Sequence, residues 1–217
     1  MTPAILAILF GGSGVIVGGL LAPLSLRLPH GEARRCPSLR RYAFIISAAA
    51  AIGVWAAVAR PAPLAAVLTA FLGWQLLLIA VIDAEHFRLP DVLTLPLLVT
   101  GGLTALLLDH TAPLDAGIGA VAGFAGLWGL AFAYRRLRGR DGLGDGDPIL
   151  LAAGGAWVGW LGLPSVLLWA SAAGLSFVAA KFLVGTTMSA TDRVAFGPCL
   201  AAGIWLTWML GPLGFQA

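Results

Sequence analysis

The chain has 217 residues, of which 59% are hydrophobic and only 11% charged. Its mean hydropathy is +0.94 and its formal net charge +3. Soluble domains carry about 25% charged residues, so this composition excludes one aqueous core and places the chain in a lipid bilayer.

Taken in chain order, eight apolar stretches are predicted as helices: 4–26, 42–59, 64–83, 91–108, 116–134, 148–161, 164–184 and 194–212. The expected fold class is all-α, a polytopic membrane protein with about eight transmembrane helices, forming a single membrane-embedded domain over residues 1–217. Met1–Leu26 has no basic start, and its apolar part is longer than the core of a cleaved signal, so it is expected to stay as the first span. A short basic loop, 27–41, follows it. The sixth span is short, and its border with the seventh falls near Leu163-Pro164. Small residues four apart, as in Gly14/Gly18 and Gly119/Gly123, are expected to let helices approach closely. The two cysteines, Cys36 and Cys199, form no CxxC pair, so neither a zinc site nor a disulfide framework is read. No metal is expected.

The thirteen Lys and Arg fix an orientation. Twelve fall on one side of these spans: Arg27, Arg34, Arg35, Arg40, Arg41, Arg88, Arg135, Arg136, Arg138, Arg140, Lys181 and Arg193. Arg60 alone falls on the other. This bias makes the basic side cytoplasmic. It also explains the pI near 9.4 as membrane topology, with the bilayer and not nucleic acid as partner.

Five of the ten acidic residues cluster in two segments at that cytoplasmic edge. Asp83, Glu85 and Asp91 lie in IDAEHFRLPD; Asp145 and Asp147 lie in GLGDGDPILL, with Asp141 just upstream. Charge beside hydrocarbon is costly and marks function by default. Plain structural roles also stand. Asp91 after Pro90 and Asp147 before Pro148 both suit helix N-caps, and Glu85, His86 and Arg88 suit a solvated loop. Two carboxylates sharing one water divide into an acid and a base. Asp147 at a helix start is favoured as the charged general base, and Asp83 near a helix end as the general acid. Gly142, Gly144 and Gly146 permit an unusual backbone path and close approach of a substrate strand; a flexible loop accounts for them equally.

The residues then resemble the prepilin peptidases, GxGD-type membrane aspartic peptidases. IDAEHFRLPDVLTLPLL resembles that family's first aspartate segment, and GLGDGDPILLAAGGAWVGW its second. VAFGPCLAAGIWL resembles its IPFGP segment, and GGLLAPLSLRLP is a weaker echo of its first helix. Both GLGD and GDGD fit the motif; counting back from Gly155-Ala156-Trp157 places the family aspartate on Asp147 rather than Asp145. The resemblance implies Asp83 and Asp147 as the catalytic pair and Asp91 as a supporting position, with Gly144, Gly146 and Asp145 in supporting or substrate-binding roles. It implies cleavage of type IV prepilin or pseudopilin precursors after a short basic leader, on the cytoplasmic face of a bacterial inner membrane, without cofactor.

Two departures qualify it. Many members carry a cysteine-rich cytoplasmic domain with N-methyltransferase activity where this chain has only 27–41, so peptidase without methyltransferase is expected. Ile149 stands where the family usually has lysine. The alternatives are a transporter using the carboxylates as a relay, which predicts polar residues deep in the spans, or a non-proteolytic scaffold of the same fold.

Overall fold

The structure, a computed structural model, describes residues 3–27, 38–108, 110–139, 144–184 and 195–213. Cys36, Arg34, Arg35, Arg140, Asp141, Gly142 and Arg193 lie outside the described residues. Eight α-helices are described: α1 Pro3–Arg27, α2 Leu39–Ala59, α3 Pro63–His86, α4 Asp91–Leu107, α5 Pro113–Arg138, α6 Asp147–Val158, α7 Leu163–Leu183 and α8 Gly197–Leu210. There is no strand among the described residues. The chain is a polytopic all-α membrane protein. Five segments are long and apolar enough to cross a bilayer: α1, α2, α3, α5, and α7 together with the 3₁₀ turn Trp160–Gly162 before it.

The three shorter helices are apolar too. The 12 residues of α6 rise about 18 Å, well short of a hydrocarbon core of about 30 Å. This is possible because α6 lies in protein rather than lipid: ten of its residues, from Asp147 to Trp157 except Ile149, are buried. Its far end also differs from the sequence expectation. Gly159 takes a left-handed backbone, φ 73°, so α6 stops at Val158 rather than 161, and α7 begins at Leu163.

Contacts divide the chain into two compact units, Met1–His86 and Phe87–Ala217. In the first, α1 and α2 meet through glycines. A Cβ added at Gly14 would stand 2.5 Å from the Ala49 carbonyl oxygen, and one at Gly18 2.7 Å from Ile46 Cα. In the second unit, α6 is the hub. Gly119 on α5 faces the backbone of Gly155, and Gly123 faces the Leu151 carbonyl. Trp157 of α6 donates its indole N–H to the Leu97 carbonyl of α4 at 2.9 Å. The spacing of small residues is thus used as expected, on α1 and on α5.

Two helices run further than the sequence suggests. α3 continues through Glu85 and His86, and α5 continues to Arg138, where Gly139 closes it at φ 68°. A left-handed glycine just past the last turn is a common helix stop.

Candidate active site

On α3, Thr69, Leu72, Leu76, Ile79 and Asp83 recur at steps of three and four, and all are buried. That stripe is one helix face. Asp83 occupies its last position, with 6% of its surface exposed. The next carboxylate, Glu85, points elsewhere. Its two oxygens accept from Arg41 of α2, Nε at 2.6 Å and a terminal nitrogen at 2.8 Å. The same guanidinium donates to the Ala22 carbonyl at 3.1 Å and to Ser25 Oγ at 2.7 Å, both on α1. Glu85 is therefore not in a solvated loop. One planar, five-donor group ties the ends of three helices. Arg41 was legible only as a basic residue on the cytoplasmic side; nothing in the spacing paired it with a residue 44 positions away.

The second segment buries its carboxylate differently. Asp147 is the first residue of α6 and only 3% exposed. It does not cap the helix. Its Oδ2 instead accepts the N–H of Gly144 at 2.9 Å, while its own N–H donates to the Gly144 carbonyl at 3.2 Å. A tight turn is thus closed twice over residues 144–147. Gly146 holds the cap position with ordinary helical angles, φ −85° and ψ −17°. Its lack of a side chain serves packing: a Cβ there would lie 2.5 Å from Leu89 Cβ. Leu89 belongs to the LPD of the first acidic segment, so LPD and GDGD meet in the second unit.

Asp145, two residues before Asp147, is fully solvent-exposed and 3.7 Å from Arg135 at the end of α5. Asp91 is exposed as well, at the first position of α4 behind Pro90, and makes no side-chain cap. Ile149 is half-buried on the first turn of α6. Among the described residues, then, Asp83 and Asp147 are the buried carboxylates, and no Lys, Arg or Glu is buried with them. The other buried polar residues among those described are neutral: Ser25, Thr69, Gln75, Thr94, Thr104, Ser165 and Thr207. Among the described residues no three His, Cys, Asp or Glu side chains converge where a metal ion would be held.

The type IV leader peptidase family matches residues 70–179, just over half of the chain and including both buried aspartates. The chain belongs to this family. Its relatives include the prepilin leader peptidase/N-methyltransferase of Aeromonas salmonicida (strain A449), 45% identical over 141 residues, which are 64% of this chain and 48% of that protein. The protein of the same name from Aeromonas hydrophila is 38% identical over 194 residues, covering 88% of this chain and 66% of the relative. That from Burkholderia pseudomallei (strain K96243) is 41% identical over 198 residues, covering 88% and 62%. The chain spans between about half and two thirds of the length of these curated relatives. No solved structure matches it.

Proposed function

We propose that this protein is a membrane aspartic endopeptidase that removes the short basic leader of prepilin or pseudopilin precursors at the cytoplasmic face of a bacterial inner membrane. The observation that carries the reading is burial. Of the chain's ten acidic residues, the two buried among those described are Asp83 and Asp147, the two that the family resemblance selects. An ionisable group is kept from water at a membrane edge only where it has work to do.

In this reading the two carboxylates act on one water. Asp147, at the positive end of α6, takes a proton from the water as it attacks the scissile carbonyl. Asp83, in the last turn of α3, protonates the leaving amine. The peptide bond is exchanged for a carboxylate and an amine, with no covalent enzyme intermediate. The Gly144 N–H fixes one oxygen of Asp147 and so sets how the carboxylate is held. Leu89 against Gly146 sets the turn that carries it. Asp91 and Asp145, exposed nearby in sequence, face water and suit contact with a basic leader rather than chemistry. The relatives' names join peptidase to N-methyltransferase, but only residues 28–38 separate α1 from α2 here. We assign this chain the peptidase step alone.

The test is leader removal from co-expressed prepilin-like precursors by wild type, Asp83→Asn and Asp147→Asn, with each variant shown to reach the membrane and purify as wild type does. Processing is expected to fall by about 10³-fold or more in either variant. Processing that persists in both would overturn the mechanism.

A further inference from the structure

At the other end of α6 from Asp147, a cavity of about 170 Å³ opens among His110, Thr111, Asp115, Gly159, Trp160 and Trp208. The peptidase reading does not use it. Its walls are fixed by specific contacts. Asp115 Oδ1 accepts the Trp160 indole N–H at 3.0 Å, and Thr111 Oγ1 donates to the Trp157 carbonyl at 3.1 Å. The His110 ring stands edge-on to Trp208, centroids 4.5 Å apart and planes at 82°. Gly159 suits its position through its backbone, φ +73°, and a Cβ there would stand 3.2 Å from Thr111 Cγ2.

The cavity holds one acidic side chain, Asp115, and no lysine or arginine lines it. Asp115 contributes a carboxylate whose only hydrogen bond among the described residues is the one to Trp160. The described lysines and arginines of the same unit are Arg88, Arg135, Arg136, Arg138 and Lys181, and His110 is on the cavity wall. Arg88 precedes α4, and the other arginines and Lys181 sit at the far ends of α5 and α7, away from the cavity. Helix-dipole stabilisation in the first turn of α5 accounts for an acidic residue at 115, but not for a cavity walled by indole rings beside it. Trp208 is buried, but the Trp160 ring is 45% exposed, and a carboxylate beside an exposed indole is the chemistry that holds an organic ammonium. The surroundings say what carries that ammonium. Leu114, Leu161 and Leu210, adjacent to the cavity in sequence or on its rim, are all exposed. In a membrane protein such side chains lie against acyl chains.

We propose that this cavity binds the ammonium headgroup of an aminophospholipid at the membrane surface at the end of α6 away from Asp147. The purified full-length protein would be titrated with phosphatidylethanolamine and with phosphatidylglycerol of the same acyl chains, bound lipid being read by native mass spectrometry. Wild type is expected to prefer the amine lipid by about ten-fold. Asp115→Asn keeps an acceptor for Trp160 and should abolish that preference. Trp160→Leu removes an exposed ring, provides an independent variant, and should reduce the preference by about five-fold. Equal retention of the two lipids by wild type, or an unchanged preference in Asp115→Asn, overturns the proposal. Binding of free ethanolamine without binding of the lipid would keep the ammonium and overturn the lipid. Leader processing does not enter this measurement, so its outcome is independent of the peptidase reading.

Discussion

The last turn of α3 and the turn before α6 each bury a carboxylate, and they do so by opposite means. In α3 the aspartate rides on a regular helix and is buried because it takes the next place in an apolar stripe. Before α6 it is buried by a folded-back turn, in which Asp147 bonds to Gly144 three residues upstream. The first device is rigid and tolerant of its neighbours, since the helix supplies the geometry. The second depends on two glycines and on one leucine from elsewhere in the chain. The difference predicts that variants around Asp147 will be more damaging than variants at matching distances from Asp83, once the aspartates themselves are set aside. Those aspartates should show the largest effect, about 10³-fold or more in leader processing for either Asp→Asn change.

Gly146→Ala is the sharpest test of the turn. The added methyl would meet Leu89 Cβ at 2.5 Å, at the root of the side chain and not at its flexible end. Overpacking of this kind costs about 1–3 kcal/mol, and here the strain falls on the residue next to Asp147. Processing should drop by about ten-fold or more while the protein still inserts. Leu89→Ala combined with Gly146→Ala should recover part of the loss. If the double variant is no better than the single one, the contact is not what requires glycine at 146.

On the α3 side the matching perturbation is Arg41→Ala. It strips Glu85 of both hydrogen bonds and removes the Arg41 donors to the Ala22 carbonyl and the Ser25 hydroxyl, which keep the 2.9 Å bond between them. Losing charge-assisted bonds at a half-buried site is expected to lower stability by about 2 kcal/mol, read as a lower melting temperature in detergent. The effect on processing should be smaller than that of Gly146→Ala, because Asp83 is held by its own helix. Arg41→Lys should recover only part of the stability, since an ammonium cannot present the paired nitrogens that Glu85 engages. A larger processing loss in Arg41→Ala than in Gly146→Ala would reverse the comparison.

The sequence carried the helices and the acidic segments well, for reasons visible in single residues. Runs of apolar residues located all eight helices because membrane spans need length more than pattern. The helix ends were harder. The charge that begins at Asp83 and, after Tyr134, at Arg135 suggests that the spans end there, yet α3 and α5 run on to His86 and Arg138. A helix can carry charged residues beyond the hydrocarbon as long as they find partners, as Glu85 does in Arg41. The GAWVGW run served in the sequence only as a ruler that picked Asp147. In the structure it is the scaffold of the second unit: Gly155 meets α5, Trp157 bonds to α4, Gly159 turns the chain, and Trp160 reaches Asp115. None of those partners is legible from spacing: Gly155 meets Gly119 and Ala120 on α5, and Leu97 and Asp115 lie 60 and 45 positions from Trp157 and Trp160. The same limit hid Leu89 behind Gly146.

The smallest expected effect falls on Asp145, and it is informative because its motif is as good as that of Asp147. GLGD and GDGD are indistinguishable as strings, two residues apart. Physically they are far apart: the Asp145 side chain is fully exposed, and its only ion pair among the described residues is a loose 3.7 Å contact with a half-exposed Arg135. Such surface pairs contribute little, since water screens both charges and two long side chains lose freedom to meet. Asp145→Asn should therefore leave processing of a neutral-leader precursor within about two-fold of wild type. A precursor with a more basic leader should show a somewhat larger loss, and added salt should erase the difference between the two precursors. An Asp145→Asn variant as inactive as Asp147→Asn would mean that burial had selected the wrong carboxylate. The closed turn from Gly144 to Asp147 would then be no more than a way to start a helix.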